Sequence, residues 1–152
     1  MDIKPDNLNS PQVIALIHEH LAAMEPTAPS ESRHALDLSG LRGPDISVWA
    51  LWDDDTLAGI GALKRLSADH VEIKSMKTAQ PYLRQGVAAR ILTHIIHEAK
   101  QAGYKQVSLE TGSMVFFEPA RKLYANFGFG ECGPFGGYVD DPNSLFMTKA
   151  LA

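Results

Sequence analysis

The spacing of hydrophobic positions changes repeatedly along the chain, and each change of period predicts an element. Met1–Lys4 reads as a short strand. Ser10-Pro11 sets a helix start, with serine as the cap and proline at the first helical position. Val13, Ile14, Leu16, Ile17 and Leu21 then put one apolar side on a helix running to about Ala23. The segment EPTAPSES is a loop with two prolines, and Ser32–Leu38 predicts a short second helix ended by Gly40. From Ile46 the period falls to two. Ile46, Val48, Ala50 and Trp52 alternate, DDDT supplies a turn, and Leu57–Leu66 returns as the second arm of a hairpin. Val71, Ile73 and Ser75 alternate with Glu72, Lys74 and Met76 in a third strand ending near Lys77, so parity places Glu72 and Met76 on one face.

Beyond PYLRQG the helical period resumes. Val87, Ala88, Ile91, Leu92, Ile95, Ile96 and Ala99 form a wide apolar stripe, with Gly103 where a C-terminal cap belongs. Lys105–Glu110 predicts a strand and Glu118–Phe127 a helix closed by Gly128. A glycine- and proline-rich stretch, ECGPFGGYVDDPNS, leads to a last strand at Leu145–Lys149. The order β-α-α-β-β-β-α-β-α-β-β contains two strand-helix-strand passages. It predicts one domain over residues 1–152, of the α/β (α+β) class, with a mixed sheet and helices on both faces.

Composition narrows the function classes. With 152 residues, 45% of them hydrophobic, the chain supports a core without disulfides, and the single Cys132 has no internal partner. Fourteen basic against eighteen acidic residues give a net charge of −4, with no basic block, which argues against nucleic acid as a partner. No apolar run of about 18 residues exists to span a membrane. The N-terminus MDIKPDNLNS lacks the basic start and apolar stretch of a signal peptide. The expectation is a soluble cytoplasmic protein.

Candidate chemistry concentrates in residues 71–92, where a strand ends, a short loop carries Arg84, Gln85 and Gly86, and a helix begins at once. A helix N-terminus exposes unpaired N–H groups and a partial positive charge, and a glycine allows close backbone approach. Such a turn suits a pyrophosphate; it is equally the ordinary form of a strand-to-helix connection.

This segment resembles the acetyl-CoA-binding motif of the GNAT N-acetyltransferase superfamily, Q/R-x-x-G-x-G/A, which falls on Leu83, Arg84, Gln85, Gly86, Val87 and Ala88. Leu83 departs from the expected Gln or Arg. ARKLYANFGF, residues 120–129, is similar to the family's fourth helix with its Tyr-x-x-x-Gly-Phe ending, while Phe117 stands where the family carries Asn. The element order fits over the whole chain. EIKSM, LETGS, the FGF…CGPFGGY run and NSLFMTK are similar to a set of small GNAT proteins of undefined substrate. The resemblance implies a mainly antiparallel sheet in which the strand of Met76 splays from that of Glu110. It implies that the backbone of Met76, Lys77 and Thr78 bonds the pantetheine of acetyl-CoA, that residues Arg84, Gln85, Gly86, Val87, Ala88 and Ala89 hold its pyrophosphate, and that Tyr124 protonates the leaving thiolate.

The chemistry gives these roles a reason. An alkyl amine of pKa about 10.4 is neutral roughly once in 2,500 molecules at pH 7, so a base must take its proton before it attacks the thioester. Glu72 and Glu110 are the candidate catalytic carboxylates, with His34 and Asp37 as further candidates in the segment expected to wall the acceptor pocket. Phe135 and Tyr138, set among loop glycines, are candidates for that pocket, and Cys132 reads as pocket-lining or buried rather than as a nucleophile. The expected reaction is direct transfer of an acetyl group to a primary amine of a small molecule or peptide in a ternary complex, with no metal. The alternative is an acyl-CoA-binding sensor without catalysis. An edge strand near the C-terminus would serve a homodimer.

Other signals are weaker. Gly128, Gly130 and Gly133 spell G-x-G-x-x-G, but they follow a helix and run into Pro134, whereas a dinucleotide fingerprint follows a strand and opens a helix. His94 and His97 share a helix face without a third metal ligand near in sequence. Asp53, Asp54 and Asp55 read as a solvated turn.

Overall fold

A computed structural model of the protein describes residues 1–27 and 29–151. Eleven regular elements follow in order: β1 (Asp2–Pro5), α1 (Pro11–Met24), α2 (Leu38–Leu41), β2 (Ile46–Asp53), β3 (Thr56–Arg65), β4 (His70–Thr78), α3 (Val87–Gln101), β5 (Gln106–Gly112), α4 (Glu118–Asn126), β6 (Gly130–Cys132) and β7 (Ser144–Ala150). The strands form one seven-stranded sheet in the order β1-β2-β3-β4-β5-β7-β6. Every neighbouring pair is antiparallel except β4 and β5, which α3 connects and which run parallel.

Period-two alternation divides the sheet's side chains between two cores. Trp49, Leu51, Val71, Ile73, Val107, Leu109 and Met147 face the apolar stripe of α3 and the inner side of α4. Val48, Ala50, Ile60 and Ala62 face Val13, Leu16 and Ile17 of α1 and Leu41 of α2. Helices therefore lie on both faces, as the sequence predicts. The helical cover is unequal, however. On the second face α1 packs over β3 and β4 and α2 over β2, whereas loops cover β5 and β7.

Two predicted features change. The helix expected at Ser32–Leu38 is not there: a single 3-10 turn occupies Ser30–Ser32, and α2 begins at Leu38. Asp37 explains the shift, because its carboxylate accepts the Gly40 N–H at 2.8 Å and so caps a helix that starts after it. The parity between Glu72 and Met76 also fails. Register slips from Ile60↔Lys77 to Ala62↔Lys74, so β4 carries one extra residue opposite Gly61. Ser75 takes up the slack at φ 55°, in the left-handed region. Met76 joins the α3-side core, and Glu72 faces the other way.

Candidate active site

The bulge sits where the sheet opens. Parallel pairing between β4 and β5 runs from His70↔Gln106 to Ile73↔Leu109 and stops there. From Lys74 to Thr78 the β5-side edge of β4 has no strand beside it, which leaves main-chain donors and acceptors for another extended group. The Ser75 hydroxyl is buried at this point without a hydrogen-bond partner. An amide-bearing arm such as pantetheine suits both features.

At the end of β4 the chain turns into α3 through Arg84 at φ 63° and Gly86 at φ 78°. Open space surrounds the position a Gly86 Cβ would take, so the requirement for glycine is conformational rather than steric. Tyr82 fixes the turn to the β2–β3 hairpin by donating to Asp53 at 2.8 Å. Val87 is buried at the first helical position, whereas Leu83, the motif's departing residue, stands exposed. The unpaired N–H groups of α3 thus open onto the end of the splayed strand. A cavity of about 200 Å³, lined by Met76, Lys77, Thr78, Ala88, Ala120 and Tyr124 among others, runs from there between α3 and α4.

Tyr124 owes its position to the way α4 ends. Gly128 (φ 91°) donates its N–H to Ala125 and Phe129 donates to the Tyr124 carbonyl, a Schellman closure. The Phe129 ring packs on the Tyr124 ring at 5.7 Å, the hydrophobic contact that accompanies such a cap. The Tyr-x-x-x-Gly-Phe pattern is thus a helix stop that aims the tyrosine. Burial alone pushes the Tyr124 hydroxyl well above its ordinary pKa, so it stays protonated. Tyr124, Met76 and Ala120 also line a second cavity, of about 120 Å³, on the loop-covered face. Tyr124 stands where the two meet.

The second cavity is polar at its floor. Tyr138 donates its hydroxyl to Glu72 and accepts from the Lys74 ammonium at 2.9 Å, while Lys74 and Glu72 pair at 3.3 Å with side chains 8% and 3% exposed. Glu110 faces the same space and makes no ion pair among the described residues. Burial raises the Glu110 pKa and the Glu72 charge adds to this; the Ser144 hydroxyl, His34 and Lys74 pull the other way. His20, at the end of α1, is held down to about 4 by burial and by the nearby Lys77, so it is neutral at pH 7. His34 stands edge-on to Tyr138 at 4.9 Å. Ser32 donates to Asp141 and accepts from Asn143, tying the loop of His34 to the loop of Tyr138.

Glu72, Glu110, His34, Tyr124 and Tyr138 are therefore brought together around one cavity. Three other candidates are not. Asp37 is exposed and caps α2. Cys132 pairs with Phe146 on the edge strand β6, and burial raises its thiol pKa, the opposite of what a nucleophile needs. Phe135 packs behind Tyr138, against Phe146 and His70, rather than lining the space. Sequence reading missed His20, Met24, Lys74, Thr111 and Phe117, all of which line the cavity. For Lys74 the signal was present, two residues from Glu72 on one strand. For His20 and Met24 there was none, because contacts over more than fifty residues leave no local pattern. Phe117, which stands in sequence where the family motif carries Asn, packs its ring against Gly112.

A mixed sheet opened between two parallel strands, with a glycine turn leading into the helix behind it, defines an acyl-CoA-dependent acyltransferase fold. The chain belongs to the acetyltransferase (GNAT) family, whose model matches residues 13–129. It is 57% identical to the uncharacterized N-acetyltransferase YsnE of Bacillus subtilis (strain 168), over 99% of this chain and 100% of that protein. It is 46% identical to the uncharacterized N-acetyltransferase YedL of Escherichia coli (strain K12), over 98% of this chain and 94% of that one. The fold is shared with a GNAT family acetyltransferase from Elizabethkingia anophelis solved with acetyl-CoA bound, at a TM-score of 0.70 and 16% identity over 98% and 97% of the two chains. The protein is an N-acetyltransferase and acetyl-CoA is its acyl donor; the reading as a non-catalytic sensor is not favoured. Among the described residues no group of three or more His, Cys, Asp or Glu could hold a metal ion, and no helix is long and apolar enough to cross a membrane.

Proposed function

We propose that the protein acetylates a primary amine by direct attack in a ternary complex, with Glu110 as general base and Tyr124 as general acid. The observation that supports this reading is the meeting of the two cavities at Tyr124: one follows the unpaired edge of β4, the other carries the carboxylates. The donor arm lies along Met76, Lys77 and Thr78, and its pyrophosphate lies at Arg84–Ala89. Glu72 is tied to Lys74 and Tyr138 and so holds the floor rigid, whereas Glu110 is left to receive a proton. Its raised pKa brings it closer to the pH at which a base works efficiently.

An ammonium proton passes to Glu110, and the freed amine forms a bond to the acetyl carbonyl carbon. As the C–S bond breaks, the thiolate takes the Tyr124 proton, and the second proton shed by the nitrogen restores the tyrosine. One proton leaves overall. Tyr124→Phe tests the assignment: kcat should fall about 10²-fold with the Kd for acetyl-CoA unchanged. Equal turnover would remove Tyr124 from the chemistry.

A further inference from the structure

Resting on the amine-acetylation reading, we infer that the acceptor is a hydrophobic monoamine: one ammonium on an alkyl or arylalkyl body, without a neighbouring carboxylate. The charges that face the acceptor cavity support a single cation. Lys74 neutralises Glu72 at 3.3 Å and the Tyr138 hydroxyl closes over both, so neither is open to a ligand's ammonium or carboxylate. Glu110 is the carboxylate left without an ion pair among the described residues, and one carboxylate matches one ammonium. An amino acid would bring its own carboxylate into a space whose lysine is already engaged, beside two glutamates.

Size and rim decide the rest. At about 120 Å³ the cavity lies below the range of pockets that enclose a drug-sized molecule, so it takes an amine head and a short stem while the body of the acceptor emerges. The chain neighbours of two lining residues are apolar and exposed. Phe116 is 58% exposed and stands edge-on, at 4.9 Å, to Phe117, whose ring lines the cavity. Val139 is 76% exposed and directly follows Tyr138. Their two loops are joined, since Ser113 donates its N–H to Asn143 at 3.1 Å and its hydroxyl to Pro142 at 2.6 Å. Large apolar side chains left exposed beside a polar cavity mark a surface that takes an apolar ligand. Rim carboxylates that could hold a second ammonium are mostly engaged: Asp141 with Ser32 and Asn143, and Glu118 with Lys122 at 3.3 Å. Asp140 is the exception, and a diamine is therefore the competitor to test.

The experiment measures CoA release at saturating acetyl-CoA with 2-phenylethylamine, hexylamine, ethanolamine, putrescine and phenylalanine. It is run on the full chain and on the Phe116→Ser and Val139→Ser variants, with acetyl-CoA affinity and oligomeric state recorded for each. The inference expects kcat/KM for the two apolar monoamines to exceed that for ethanolamine and putrescine by about tenfold or more. Phenylalanine should not be acetylated, and the rim variants should narrow the preference through KM. A preference for putrescine or phenylalanine overturns the inference while leaving amine acetylation standing. So does a preference that neither rim variant alters, including the case in which those variants only dissociate a dimer. If none of these amines releases CoA from a protein that binds acetyl-CoA, the amine reading fails and the inference fails with it.

Discussion

The two sides of the opened sheet are built on different plans. On the proposed reading, the donor side consists of consecutive pieces of chain: the end of β4, the glycine turn, the start of α3 and, one strand later, α4. Its lining is mostly apolar, its polar capacity lies in the main chain, and its key tyrosine is aimed by a helix cap. The acceptor side is assembled from the end of α1, the loop of His34, β4, β5 and the glycine-rich loop of Tyr138. Its floor is set by side-chain charge, and its roof is fastened by Ser32, Asp141 and Asn143. Main-chain recognition serves a donor that never varies, because a backbone site tolerates change in the side chains around it. Side-chain recognition on loops is where an acceptor preference can be altered without disturbing the sheet.

If the two sides are separable in this way, a change on one should leave the other's binding constant alone. The largest effect expected is from Glu110→Gln, which should lower kcat about 10²-fold without weakening acetyl-CoA. In the parent enzyme the rate should fall as pH drops through the raised pKa of Glu110, because the base becomes protonated; in the variant that acidic limb should vanish. A variant that kept the limb would assign the base elsewhere, with Glu72 or His34 next in line.

Gly112→Ala comes second. A Cβ there would run into the Phe117 ring, so the ring must move and the cavity wall with it. A loss of about 1–3 kcal/mol in unfolding free energy is expected, together with a higher acceptor KM. The smallest effect belongs to Gly86→Ala. The position is open but left-handed, so strain of about 1–2 kcal/mol is the whole cost. It should appear as weaker acetyl-CoA binding by calorimetry, with the relative preference among amines unchanged. A shift in that preference would show the two sides to be coupled through α3.

The same contrast governs how much could be read without coordinates. Residues 83–88 and 120–129 nominated the proposed donor side because turn, cap and helix start are each written in a few adjacent residues. The acceptor side was legible only in fragments. Glu72 and Glu110 were nominated as carboxylates near the splay, but the parity argument that placed Glu72 with Met76 broke at Ser75. One extra residue in a strand reverses every side chain beyond it, and no local pattern marks a bulge at a serine. Asp37 looked like chemistry and proved to be a cap, which is what an aspartate before a short helix most often is. Cys132 and Phe135 shared a loop with Tyr138, yet only Tyr138 reaches the cavity.

By itself the sequence determined most of the strands and helices and their order, the family, and the glycine turn and helix cap that are proposed to serve acetyl-CoA. All of these depend on residues close together in the chain. Tertiary structure decided which strands part, which carboxylate is engaged by Lys74 and which stays open, and which aromatic residues form the rim. Those outcomes depend on register and on contacts between distant segments, where a single bulge or one hydrogen bond selects among side chains that look alike in the sequence.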